Sequence, residues 1–328
     1  MYRKTASLLR CPGCASSLDL RSHETGDWIE DGALECPQCQ AAVPVTRGIA
    51  RFVPAENYAA NFGRQWNLFR RTQLDSHSGV PISRDRFIRY TGHSEDKLRG
   101  ALVLDAGCGA GRFAEIALSM GARVIAIDYS SAIDAARANL HGTGDIDFIQ
   151  ADINRLPFAP GSFPNTYCLG VLQHTPDPEA SFAALARIVA PGGHLAVDVY
   201  PAGWKNLFFA KYWIRPIVKR WTPERSLGVV QRWFPTLFAI SDFVRRIPLV
   251  GHYLRYLVPV ANYRGVYPLS TEQHREWAVL DTFDMWAPAF DQPQTLDTLG
   301  DWFVAAGFPN AEIFHAGFNV GRGIKAPA

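Results

Sequence analysis

No uncharged apolar run long enough to span a bilayer, about 18 residues, occurs in the sequence, and its first twenty residues hold no apolar stretch of signal-peptide type. A cleaved signal and a membrane span are therefore not expected, and the chain reads as cytoplasmic. An excess of one charge is lacking too: 33 Lys and Arg stand against 31 Asp and Glu, so a net charge of +2 demands no polyanionic partner. Disorder is excluded by composition, since 48% of residues are hydrophobic and only 20% charged. At 328 residues there is room for about two domains and a core that needs no covalent staples. The charge is unevenly spread, however. Between Gly203 and Arg275 stand twelve Lys or Arg, three Asp or Glu and fourteen aromatic residues, a basic block inside an otherwise acidic chain.

Cysteine is scarce, six in all, yet four are paired as Cys11-Pro-Gly-Cys14 and Cys36-Pro-Gln-Cys39. Two CxxC turns joined by a short hairpin can close a tetrahedral thiolate shell around Zn²⁺. Disulfides are disfavoured in a reducing compartment, and a redox CxxC would need a thioredoxin-like setting and only one copy. All four positions are protein ligands, so the expected metal is structural, with no open position for catalysis. The stretch is similar to zinc-ribbon modules that precede some bacterial methyltransferases. The run Val43-Pro-Val45, then Gly48-Ile49 and Arg51 to Pro54, is read as the strand closing it, in a module of residues 1–54.

From Ala101 the pattern changes to a short apolar strand ending at Asp105, then Gly107-Cys108-Gly109-Ala110-Gly111-Arg112 and an amphipathic helix. A second apolar strand ends at Asp128. Strand, glycine turn, helix, strand and acid make a nucleotide-binding unit in which the second carboxylate can accept from both ribose hydroxyls. A dinucleotide fingerprint would need glycine where Arg112 stands, and no Walker lysine is present, so a pyrophosphate is disfavoured. A third strand, Asp147 to Gln150, leads to Asp152-Ile153. A fourth ends before Gln173-His174, and Pro191-Gly192-Gly193 opens a fifth. Pro164 cannot donate to a ladder, so the fourth strand is expected to start near Thr166.

The segment Asp105 to Phe113, with these later pieces in order over residues 98–200, resembles the class I S-adenosylmethionine (SAM)-dependent methyltransferases, in particular the ubiquinone/menaquinone type. That resemblance implies an α/β fold with a Rossmann-like sheet of seven strands. It implies cofactor contacts from Asp105, Gly107, Cys108, Gly109, Gly111, Asp128, Tyr129, Asp152, Ile153 and Gln173, with Asp152 at the adenine amino group and Ile153 on the ring. Residues 297–328 would supply the last helix and hairpin. A methyl sulfonium is already activated, so alignment and exclusion of water supply most of the rate, and a base is needed only for a hydroxyl or carbon acid. His174, just past the fourth strand's end, is either that base or a loop histidine bonded to backbone.

Residues 201–296 far exceed an ordinary connection of about 2–6 residues and read as a helical lid over the acceptor pocket. Pro216, Pro223, Pro235, Pro248 and Pro259 are expected to divide it into short helices. Its aromatics are read as packing the lid down and its Lys and Arg as a solvated face. The same basic amphipathic pieces suit contact of residues 203–275 with an anionic membrane surface, placing the protein at the inner face and admitting a lipid-linked acceptor. RNA binding, and hence methylation of rRNA or tRNA, is the less favoured alternative. A non-catalytic SAM-binding or zinc-ribbon interaction protein is a third, against which the intact glycines and acids count. Asp281-Thr-Phe-Asp284-Met-Trp286 and, in the linker of residues 55–97, Phe62-Gly-Arg-Gln-Trp66 and Thr72-Gln-Leu-Asp75 resemble segments of methyltransferases of bacterial cell-surface glycan and lipid synthesis. The linker is expected to fold across the cofactor. The expected reaction is O-methylation of a small-molecule, glycan or lipid-linked acceptor.

Overall fold

Period-two alternation, apolar to both sides, is what a sheet buried on two faces demands, and it accounts for the centre of the molecule. In this computed structural model residues 1–54 and 57–327 are described; the first two residues of the expected linker, Ala55 and Glu56, lie outside them, as does Ala328. The strands are β1 (Asp19–Arg21), β2 (Gly32–Glu35), β3 (Ala42–Thr46), β4 (Ile49–Arg51), β5 (Leu102–Ala106), β6 (Arg123–Asp128), β7 (Ile146–Gln150), β8 (Phe163–Cys168), β9 (Val189–Val199), β10 (Glu312–His315) and β11 (Asn319–Ile324). They form one sheet in the order β1-β2-β3-β4-β7-β6-β5-β8-β9-β11-β10. Along β5 and β6, Val103, Val124 and Ala126 enter one core, with Phe87, Phe113 and Ile133 from helices Ile82–Thr91, Arg112–Ser119 and Ala132–Leu140. Leu104, Ala106, Ile125 and Ile127 enter the other, with Phe182 and Phe303 from helices Pro178–Ile188 and Leu296–Ala305.

The last seven strands in that order match the seven-stranded sheet expected, parallel except for β11, which runs antiparallel to both β9 and β10. The sheet as a whole has eleven strands, not seven. The reason is that β4 pairs in parallel with β7, Ile49 opposite Phe148 and Arg51 opposite Gln150. The ribbon therefore continues the sheet where an open edge would otherwise stand. Leu9, Ile29, Leu34 and Val45 of the ribbon share a core with Ile149 and Phe158. Arg51 and Arg47 both pair with Asp134.

Two local expectations are corrected. β8 begins at Phe163, not Thr166, because the ladder slips at Pro164: Phe163 stands opposite Val189 but Asn165 opposite His194. That irregularity leaves the proline out of the donor pattern. In the insert, Pro235 does not break the chain into short helices; it lies within one helix, Pro223–Arg245, and Pro216 within Ala210–Val218. Gln231 and Pro235 are both exposed, so water can take the carbonyl that the proline leaves free. These two helices bury Val218, Leu227, Val230 and Phe234 against Ala278, Phe283 and Trp286 of helix Thr271–Trp286, a third core belonging to the insert. No helix among the described residues is long and apolar enough to cross a membrane.

Candidate functional site

Parallel strand order reverses beside β5, where the chain passes from β6 and β7 back to β8 on its other side, and open α/β sheets keep their ligand crevice at such a point. A cavity of about 330 Å³ lies there. One half of its wall is Gly107, Cys108, Gly109, Ala110, Asp128, Tyr129, Asp152, Ile153 and the loop after β8, including His174. Gly107 has φ +81°, and a Cβ there would meet Val171 Cγ2 at 2.4 Å, so backbone alone can form this floor. Trp66 of helix Ala60–Leu68 lies over Gly109, its ring 3.2 Å from where a Cβ would stand. Tyr58, Phe62, Gln65 and Gln73 also line the cavity, so the linker roofs the glycine turn.

Asp128 holds the turn as well as facing the cavity. One carboxylate oxygen accepts from the Gly109 amide at 2.9 Å and the other from the Ser130 amide at 2.8 Å and hydroxyl at 2.7 Å. Burial raises its pKa, against those same hydrogen bonds. Asp152 caps a short turn by accepting from the Asn154 amide. Three of the expected cofactor residues do not line the cavity: Asp105, Gly111 and Gln173. Gly111 begins helix Arg112–Ser119 in the left-handed region, against Leu140. Gln173 is fully buried with both amide atoms lacking a protein partner. Asp105 points into the core beside Tyr167, one oxygen without a partner, and burial raises its pKa to about 8.

His174 Nδ1 lies 3.0 Å from the Phe290 carbonyl oxygen. A carbonyl only accepts, so in the neutral ring Nδ1 carries the proton and Nε2 the lone pair. Phe62 and Tyr200 hold the ring on two sides, at centroid distances of 5.1 and 5.3 Å.

The other half of the wall carries none of the site residues expected from the sequence: Arg86, Arg112, Tyr200, Tyr263, Tyr267, Trp277, Asp281 and Asp284. Arg112, at the place a dinucleotide fold reserves for glycine, donates to Ser83 Oγ and Gln73 Oε1, both at 2.8 Å. Burial, with Arg86 nearby, lowers its pKa to about 10. Gln73 passes the connection on, donating to Asp281 at 3.0 Å, which also accepts from Tyr263 Oη at 2.5 Å and Trp277 Nε1 at 3.0 Å. Arg86 pairs at 2.5 Å with buried Asp198, which accepts from the Gly170 amide at the cavity edge. The signal available in sequence was the i, i+3 spacing of Asp281 and Asp284 on a helix, which puts both on one face.

At the far end of the ribbon, the Sγ atoms of Cys11, Cys14, Cys36 and Cys39 lie within 4.8 Å of one another. Contacts of 3.4, 3.5 and 3.7 Å match the edge of a thiolate tetrahedron with Zn–S near 2.3 Å, roughly 3.8 Å. They are far too long for a disulfide, near 2.05 Å. The two knuckles repeat each other: Ala15 and Gln40, each just past the second cysteine, have φ 60° and donate to the carbonyls of Cys11 and Cys36. The donor set fits a structural zinc.

Residues 104–197 match the family model described as a methyltransferase domain. The ubiquinone biosynthesis O-methyltransferase of Thiobacillus denitrificans is 41% identical over 100 residues, 29% of this chain and 43% of that protein. That of Xanthomonas oryzae pv. oryzae is 39% identical over 144 residues, 43% of this chain and 57% of that one. The chain thus spans about half the length of the curated relatives it matches. Among solved structures, human N-acetylserotonin methyltransferase in complex with SAM is 16% identical, with a TM-score of 0.43, over 84% of this chain and 60% of that one. The centre of this chain, residues 104–197, is thus similar to a methyltransferase domain.

Proposed function

We propose that the chain transfers a methyl group from SAM to a hydroxyl of a small-molecule or lipid-linked acceptor. The observation that carries this reading is the single cavity with two unlike halves: bare glycine backbone with Asp128 on one side, aromatic rings and carboxylates of the lid on the other. The residues fit SAM: Asp128 keeps one acceptor site for a ribose hydroxyl, Asp152 and Ile153 suit the adenine edge and face, and Gly107 to Ala110 admit close approach. When bound, the sulfonium supplies an electrophilic methyl that needs no further activation. The chain's part is to hold the acceptor oxygen in line, exclude water and take a proton. His174, whose Nε2 carries the lone pair when Nδ1 donates to Phe290, is one group at the cavity able to accept it. Relatives named as O-methyltransferases support the choice of oxygen.

A lipid-linked acceptor is favoured by the outer face of the lid. Thirteen of the eighteen exposed large hydrophobic side chains among the described residues lie between Trp204 and Val266. Exposed Lys219, Arg220, Arg225, Arg232 and Arg246 stand among them. This pairing of rings and cations suits an anionic bilayer surface.

The test is calorimetry with SAM, followed by incorporation of labelled methyl into fractionated cell extract. Asp128→Ala should weaken SAM binding at least tenfold, the loss of one charge-assisted hydrogen bond being about 1.5–3 kcal/mol. Unchanged affinity removes Asp128 from the ribose, and an extract without labelled product refutes transfer.

A further inference from the structure

Two of the acids buried in this molecule are matched by cations. Asp291 is paired with Arg215 at 2.6 Å and Lys211 at 3.1 Å, and Asp198 with Arg86. Asp281 has no such match, and unlike Asp105 it faces the cavity. It lines the cavity, yet the groups holding it are all neutral: the Gln73 amide, the Tyr263 hydroxyl and the Trp277 indole. Among the described residues it has no ion pair. Arg112, a cation whose charge acts on it, donates instead to Ser83 and to the far end of Gln73. Three hydrogen bonds, from the linker, from Tyr263 and from its own helix, fix the carboxylate in place, which a merely solvated acid would not need. Asp284, one turn on, is held only at 3.4 Å by Gln65 and by Tyr200.

We infer that Asp281 is the catalytic base of the acceptor half, taking the proton of the acceptor hydroxyl as its oxygen receives the methyl group. The inference rests on the methyl-transfer reading above. The acceptor O–H bond breaks with its proton passing to the Asp281 carboxylate. The new O–CH₃ bond forms as the methyl–sulfur bond breaks, and that electron pair remains on sulfur. A positive sulfonium and a negative carboxylate thus become a neutral sulfide and a neutral acid together. In a cavity walled by Tyr200, Tyr263, Tyr267 and Trp277, mutual neutralisation of charge is favoured over its separation. Burial raises the carboxyl to about 6, with Asp284 adding to the rise and Arg112 and the Tyr263 and Trp277 donors opposing it. A base in that range is ionised at neutral pH and still holds a proton well. The Tyr200, Tyr263 and Tyr267 phenols face it as well; Tyr200 and Tyr263 are pushed far above their ordinary range and stay neutral. Arg112 and Gln73 act through Asp281 as positioning residues, tying the lid to the first turn after the glycine loop.

Calorimetry of the full chain at pH 6 with SAM and with S-adenosylhomocysteine, in buffers of different ionisation heat, gives a readout independent of turnover. The cationic donor should expel part of a proton that the neutral product does not. That difference should vanish in Asp281→Asn and survive in His174→Asn. In the extract assay, Asp281→Asn should lower labelled-methyl incorporation roughly 100-fold or more, with SAM affinity within about threefold of the parent and partial recovery in Asp281→Glu. Equal proton release by the two ligands, or full incorporation by Asp281→Asn, overturns the assignment. Failure of both ligands to bind overturns the methyl-transfer reading instead.

Discussion

A buried carboxyl records its surroundings in the pH dependence of stability. Asp105 has its pKa raised to about 8 by burial beside Tyr167, in a part of β5 walled by the core rather than by the cavity. The native protein therefore holds this proton up to about pH 8, while the unfolded chain releases it near the ordinary 3.8. Unfolding releases a proton throughout that window, so this group's contribution falls as pH rises from about 4 to 8. Asp105→Asn, which keeps the shape without the charge, should melt higher than the parent at pH 8, with the difference shrinking toward pH 5. Melting curves across that range decide it; a constant difference would mean that Asp105 is ionised in the fold. The strand-end acid itself was legible in the sequence, but its direction was not. Adjacent strand positions point to opposite faces, and which face lies under the cavity depends on elements far along the chain.

Elements of the insert show the same division between pattern and placement. The basic and aromatic spacing between Gly203 and Arg275 marked helices correctly, but their faces are partly reversed from expectation. Arg215 is buried, donating to Asp291 and to the Pro288 carbonyl, whereas Trp213, Trp233 and Phe243 stand in solvent. Helix Pro223–Arg245 is apolar on two sides. Leu227, Val230 and Phe234 pack inward, and Trp233, Ile240 and Phe243 line the outside. Periodicity could not assign these faces, because a two-sided helix has apolar residues at nearly every phase. If the outer stripe meets lipid, Trp233→Ser combined with Phe243→Ser should reduce flotation with anionic vesicles at least tenfold, burial of one large side chain being worth about 1.5–3 kcal/mol. Neutral vesicles should capture less of the parent protein. Equal flotation of parent and variant would assign the stripe another role.

At the scale of the whole molecule, the four-cysteine ribbon and the sheet are one structure. β4 is hydrogen-bonded to β7, and the ribbon's apolar residues lie in the same core as Ile125 and Ile149, so the ribbon has no separate core to lose. Removing the metal by chelation, or replacing Cys36 with Ser, should therefore lower the melting temperature of the entire protein in a single transition. Metal analysis should return one zinc per chain. Two separate transitions would show a ribbon that melts alone. The sequence by itself determined what depends on local chemistry: the thiolate pairs, the glycine turn with Asp128 at the next strand's end, and the strand–helix alternation. Those signals are short-range, since a turn or a knuckle needs only neighbouring residues. Tertiary structure alone decided that the ribbon extends the sheet to eleven strands, that Trp66 and Gln73 roof the cavity, and that Arg112 reaches through Gln73 to Asp281. Each of these joins residues distant in the chain, and their meeting is set by how whole elements pack.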